Sequence, residues 1–275
     1  MKRLALLLCV AAALAGCSRP PADSRPVAAV TTSYLECAVQ DLAGSSWRVA
    51  RLLPPGCCPG HFDVSPAMLD TLSDSRILLR FEFQSSLDEK LRHFCRNGLK
   101  IVAVPSPEGL CLPATYAEVC RAVCTALCEA QPEHAAEYQV RVAEIEKRMD
   151  DLALEIKTSI ADSPAAGARV VASAHQARFC GELGLDLAAA FTGQESAGLK
   201  ELEQCIDAGK GARVRFIVAN LQEGVQLAAP LADRLEAKIV VFSNFPAMTA
   251  DETTFDALVR RNIAALLAAA GEASR

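Results

Sequence analysis

Almost continuous helix-forming sequence, from Tyr116 to about Asp162, separates two stretches in which short apolar runs alternate with amphipathic ones, and this arrangement constrains the fold more than any other feature. Before it, "PVAAV", "WRVARLL", "RILLRFEF" and "LKIVAVP" read as strands. Between them lie helices over "SYLECAVQDLA", closed by Gly44, over "AMLDTLSDS", opened by Ser65-Pro66, and over "SLDEKLRHFC". After it come a strand in "ARVVASAH", helices in "QARFCGELG" and "GLKELEQCIDAGK", a strand in "VRFIVAN", a helix in "QLAAPLADRLE" and a strand in "KIVVFSN". The amphipathic "TFDALVRRNIAALLAAAG" closes the chain. Strand-helix alternation implies a mostly parallel sheet with helices on its faces. The expected fold class is therefore α/β, with two lobes, each a mostly parallel sheet flanked by helices, joined by one long helix.

That helix places Tyr138, Val142, Ile145, Met149, Leu152 and Ile156 at spacings of three and four, one apolar stripe over its length. It can cross between lobes; a coiled-coil arm is the alternative. Gln131-Pro132 interrupts it, because proline cannot donate to a helix. The expected division is a signal peptide at 1–16, a tether at 17–26, an N-terminal lobe at 27–130, the connecting helix at 131–162 and a C-terminal lobe at 163–275.

The signal assignment rests on Met1-Lys2-Arg3 followed by "LALLLCVAAALA", too short for a comfortable span, and by Leu14-Ala15-Gly16-Cys17. Leu-Ala-Gly-Cys at that place resembles the lipobox of bacterial lipoproteins, which implies cleavage before Cys17 and lipidation of its thiol and new N-terminus. "SRPPADSRPVA" would then hold a domain off a membrane, with several acyl chains giving stable anchoring. Loss of Lys2 and Arg3 takes the formal net charge from −5 to about −7. An acidic chain argues against nucleic acid as partner.

Of the 12 cysteines, ten follow Cys17, in a chain much larger than the small secreted scaffolds that need disulfide staples. Cys120, Cys124 and Cys128 share one helix stripe, where cysteine serves as a small buried hydrophobe. No Cys-x-x-Cys occurs, which weakens a thiol-redox reading. Nucleophile-elbow, Walker A and dinucleotide motifs are also missing, so nothing in the sequence points to an enzyme.

"PGCCPGHFDVSP" concentrates two cysteines and one of four histidines in one loop after the second strand. That loop, "VVASAHQARFCGELGL", "VRFIVANLQEGVQLAAPLADRLEAKIVVFSN" and "VRRNIAALLAAAG" together, in this order and behind a lipobox, resemble the zinc/manganese-binding lipoproteins of bacterial metal ABC importers, the cluster A-I solute-binding family. The resemblance runs from about Val27 to the C-terminus. It implies an extracytoplasmic binding protein, a monomer, anchored through Cys17 on the outer side of the cytoplasmic membrane or in the periplasm. Such a protein holds a divalent transition metal between its lobes and delivers it to an ABC permease.

By position in that resemblance, His61 corresponds to the first ligand, although Gly60 interrupts the usual proline-histidine pair, and His175 to the third. Glu108, or with a small shift Cys111, stands where the family has its second histidine. Ser243-Asn244 stands where it has a final aspartate, so Ser243 takes that place with Asn244 as the alternative. Two imidazoles suit zinc, with manganese or copper as alternatives; thiolates from Cys111, Cys57 or Cys58 would favour softer ions. Asp63 could support His61, His93 and His134 read as surface residues, and Glu223 reads as a helix-start carboxylate favoured by the helix dipole and not as a ligand. The departures leave a second possibility, the same scaffold with a degenerate metal site that binds a metal chelate or a protein partner.

Overall fold

Strands made of short apolar runs must be covered on both faces, and Val27-Ala-Ala-Val30 is buried at every position. The computed structural model describes residues 23–57, 59–60, 64–96, 98–193, 199–211 and 213–271. In the first lobe, β1 (Val27–Val30), β2 (Arg48–Arg51), β3 (Ile77–Phe81) and β4 (Lys100–Val104) form an all-parallel sheet in the order β2-β1-β3-β4. Helices α1 (Ser33–Ala43), α2 (Pro66–Ser73), α3 (Ser86–Lys90) and α4 (Arg92–Arg96) make the connections. Each boundary has a chemical cause. Thr32 accepts the Leu35 N–H to start α1, Gly44 ends it at φ 52°, and Ser65 accepts the Met68 N–H with Pro66 in the first turn of α2.

Two helices follow, α5 (Pro113–Ala130) and α6 (Ala135–Ala161). They form an antiparallel hairpin broken at Gln131-Pro132, where the Gln131 side chain accepts from the Tyr138 hydroxyl at 2.7 Å. At 27 residues, α6 runs about 40 Å and packs on α1 and α5 of the first lobe and on the last helix of the second. Its buried residues are Tyr138, Ile145, Met149, Leu152, Ile156 and Ile160, which is the stripe that the spacing predicts except that Val142 is only partly buried and Ile160 extends it by one turn. Cys120 and Cys124 are buried and Cys128 partly so, all as free thiols, in keeping with their reading as core.

The second lobe repeats the first: β5 (Arg169–Ser173), β6 (Asp186–Phe191), β7 (Phe216–Asn220) and β8 (Lys238–Phe242) in the order β6-β5-β7-β8, all parallel. Its helices are α7 (Ala174–Glu182), α8 (Leu199–Lys210), α9 (Ala228–Leu235) and α10 (Phe255–Gly271). β6 corrects the sequence reading, which ran from helix to helix here. "DLAAAF" has no β-branched residue, lies at the sheet edge and pairs with an irregular register at Val170/Val171, so tertiary pairing and not propensity makes it a strand.

One apolar cluster runs through both lobes. At the seam, Phe255 stacks on Tyr116 with ring centroids 4.1 Å apart, and Tyr34 meets Phe81, Tyr116, Phe245 and Phe255 edge-on. Such pairs add about 0.5–1.5 kcal/mol beyond the area they bury. Polar contacts reinforce the seam: Ser33 donates to the Pro246 carbonyl at 2.7 Å, and Arg148 joins Asp41 of the first lobe to Asp256 of the second. Among the described residues no helix is long and apolar enough to cross a membrane.

Candidate metal site

Where strand order reverses, between β1 and β3 in one lobe and β5 and β7 in the other, the connections leave in opposite directions and open a crevice at the strands' carboxyl ends. The two crevices face each other across a cleft of about 660 Å³. Pro59, Gly60, Phe83 and residues 106–110 line it from the first lobe, and His175, Arg178, Asn220, Glu223 and Asn244 from the second.

His175 reaches the cleft because Ser173 ends β5 and caps α7, its hydroxyl accepting the His175 N–H at 3.3 Å. The imidazole is 63% exposed, and its Nε2 lies 3.6 Å from Oε1 of Glu223. Glu223 is less accessible, at 18%, and its other oxygen accepts from Ser173 Oγ at 2.5 Å. Ser173 therefore holds both partners. Glu223 sits in the short 3₁₀ turn that follows β7, five residues before α9 begins, which corrects its reading as a helix-start carboxylate. The carboxylate fits because position 193 is glycine: a Cβ there would meet Glu223 Oε1 at 2.4 Å.

Glu108 lines the opposite wall, on the loop from β4 to α5. Arg178 of α7 donates to its carbonyl at 3.2 Å, as does Thr115 at 3.4 Å, so the loop is tied across the cleft by its backbone while the residue stays exposed. Gly109 makes the turn at φ 77°, and a side chain there would strike Leu112 at 2.7 Å.

Beneath the cleft lies a neutral, buried hydrogen-bonded floor. Gln176 donates to Asn220 at 3.2 Å and to Asn244 at 3.0 Å. Cys111 is fully buried and donates to the Ser243 carbonyl at 3.0 Å, while burial pushes its thiol well above the ordinary range. Ser243 is 1% exposed and does not line the cleft; its hydroxyl donates to the Phe245 carbonyl at 2.8 Å and accepts from Gln222 at 3.0 Å and from the Phe245 N–H at 3.2 Å. Asn262 of α10 closes the set, bonding both the N–H and the carbonyl of Ser243.

Of the residues singled out in the sequence, the structure thus brings His175, Glu108 and Asn244 to the cleft and puts Cys111 and Ser243 in its floor. Cys57 is exposed and borders a separate small depression beside Thr32 and Ser33. His61, Asp63, Cys58 and Cys17 lie outside the described residues. Glu223 and Ser173 were the missed partners; the one available signal was a carboxylate just past a buried strand in the lobe that carries His175. Among the described residues no three His, Cys, Asp or Glu side chains converge.

A model of the family described as "Zinc-uptake complex component A periplasmic" (ZnuA) matches residues 111–269. The fold is similar to a crystal structure of ZnuA, with a TM-score of 0.72 at 15% identity over 88% of this chain and 98% of that one. It is similar as well to the Mn-bound periplasmic metal binding protein from candidatus liberibacter asiaticus, with a TM-score of 0.74 at 16% identity over 90% and 100%, and equally to the Cd-bound form of that protein. No curated protein matches. The family match spans more than half of the chain and the paired lobes around a cleft agree with it: the chain belongs to the ZnuA family of periplasmic, metal-binding components of zinc-uptake complexes.

Proposed function

We propose that this protein is an extracytoplasmic substrate-binding lipoprotein, anchored through acylated Cys17, that binds one divalent transition metal between its lobes as a monomer and delivers it to an ABC permease. The observation that carries the reading is His175, presented by the end of β5 at the reversal of strand order, with its Nε2 toward a carboxylate. Histidine nitrogen and carboxylate oxygen are the donors that zinc accepts, so zinc is the first candidate cargo, with manganese and copper as alternatives. His61 and Glu108 complete the set from the first lobe. Gly60, next to His61, lines the cleft, which supports its role. Cys111 and Ser243 serve as floor: one is a buried protonated thiol and the other a saturated hydroxyl. Net charge and fold both favour a cation over nucleic acid, and the role is transport and not catalysis.

One observation favours a second reading. About 660 Å³ is some twenty times the ~30 Å³ that a water occupies in the liquid, room for a chelated metal as well as a bare one. A thermal melt of the tether-free, metal-stripped domain separates the two. With Zn(II), Mn(II) or Cu(I) at ~100 times the dissociation constant, stabilisation of about 2.7 kcal/mol is expected, absent in His61→Ala/His175→Ala. No shift with a bare ion, but a shift with a zinc chelate or a protein partner, would favour the second reading.

A further inference from the structure

We propose that Glu223 is the anionic ligand of the cargo metal, supplied from the turn after β7, and that Ser173 is the positioning residue that aims it. The inference rests on the metal-binding reading of the cleft. Four observations lead to it. His175 Nε2 and Glu223 Oε1 are 3.6 Å apart, and two donors each about 2.0–2.1 Å from a tetrahedral zinc stand about 3.3 Å apart, so one ion can bridge them with a small adjustment. Glu223 is largely shielded from water yet lines the cleft, with the His175 imidazole beside it. Its second oxygen is already satisfied by Ser173 Oγ, which leaves Oε1 as the free donor on the His175 side. Gly193 leaves room for it, since a Cβ there would meet Oε1 at 2.4 Å.

The end of β8 offers no competing charge. Ser243 and Asn244 are neutral there, and the Asn244 side-chain oxygen already accepts from Gln176 and Cys111. The carboxylate of the second lobe therefore comes from the β7 turn, next to the β5 histidine, and both belong to the strand pair at the order reversal. A negative ligand beside an imidazole also offsets the charge of a divalent ion more than a neutral amide would, which favours the bare ion over a neutral chelate.

The test is calorimetric titration of Zn(II) into the metal-free domain, with visible spectra of the Co(II)-loaded form as a readout of the ligand set. Five proteins are compared: wild type, Glu223→Gln, Ser173→Ala, Ser173→Thr and His175→Ala. Glu223→Gln is expected to weaken zinc at least 100-fold and to change the Co(II) spectrum, and Ser173→Ala to weaken it roughly tenfold, with recovery in Ser173→Thr. If Glu223→Gln binds zinc within twofold of wild type while His175→Ala loses it, this inference is overturned and the metal-binding reading stands. Weaker binding with an unchanged Co(II) spectrum overturns it too, because Glu223 would then act through His175. If wild type binds no zinc, or His175→Ala binds as wild type does, the metal-binding reading itself fails.

Discussion

In the first lobe, the polar residues that close the ends of the two central strands, Thr31 after β1 and Gln84 three residues after β3, are neutral and buried. Thr31 donates to the side-chain oxygen of Gln84 at 2.7 Å, the Phe81 N–H reaches the same oxygen at 2.9 Å, and the Gln84 amide donates to the Pro59 carbonyl at 2.9 Å. In the second lobe, the same places carry His175 and Glu223, which line the cleft, and the buried Ser173 that holds them. The strand order is identical and the use of its reversal is not. One lobe uses it to anchor a loop, and its cleft residues come from the connections after β2 and β4, with the apolar Phe83 after β3. The other uses it to present ionisable donors directly. A fold of this kind fixes where a site can form, and the residues at each strand end decide which lobe supplies what.

The comparison breaks most visibly if the lobes are energetically separate. Phe255→Ala removes a fully buried ring stacked on Tyr116 and is expected to destabilise by about 3–5 kcal/mol, with both lobes unfolding in one calorimetric transition. Two resolved transitions would show that the shared core does not couple them. Next in size, Gln84→Ala strips partners from Thr31, the Phe81 N–H and the Pro59 carbonyl, and should cost about 1–3 kcal/mol by urea titration. It should also weaken zinc, since the anchored loop leads to His61. Unaltered zinc affinity would mean that the first lobe contributes little to the site.

Cys111→Ala tests the division between floor and ligand. It deletes a buried thiol that donates to the Ser243 carbonyl and is expected to cost ~1 kcal/mol while leaving zinc affinity within twofold. A larger loss of affinity would move Cys111 into the ligand set. The smallest effect is electrostatic. Arg260 of the second lobe pairs with Glu155 of the long helix at 2.7 and 2.8 Å and holds that carboxyl below its ordinary value of 4.5. Because the folded value is lowered, the pair's contribution is present above the unfolded value and is lost as pH falls through the folded one. For so exposed a pair that is ~0.5 kcal/mol at most, and Glu155→Gln should flatten the stability-pH curve below about pH 5 by that amount.

Much of this architecture is legible in the order of residues. Local rules are strong at Ser65-Pro66, at Gly44 and at Gln131-Pro132, where capping and the missing proline donor act within a few residues, and the α6 stripe follows from helical period alone. His175 is legible because a histidine directly after a run of buried strand residues has one place to go in a parallel sheet, the carboxyl end. β6 is not, because "DLAAAF" has no local preference to express and is defined by pairing with β5.

Lobes, the linking helix, the end of each sheet where a ligand can sit and His175 among its residues were thus determined by sequence, since all of them follow from periodicity, capping and the direction of parallel connections. Which polar residues face the cleft was decided only by tertiary structure. Ser243, Cys111 and Glu223 each follow a strand or precede a helix, and nothing local distinguishes a donor that looks into water from one that is buried. Asn262, 19 residues beyond Ser243, holds that serine in the floor, and Ser173, 50 residues before Glu223, turns that carboxylate toward His175. Contacts over such separations exist only once the two ends of the chain segment have been packed together, so no local pattern encodes them.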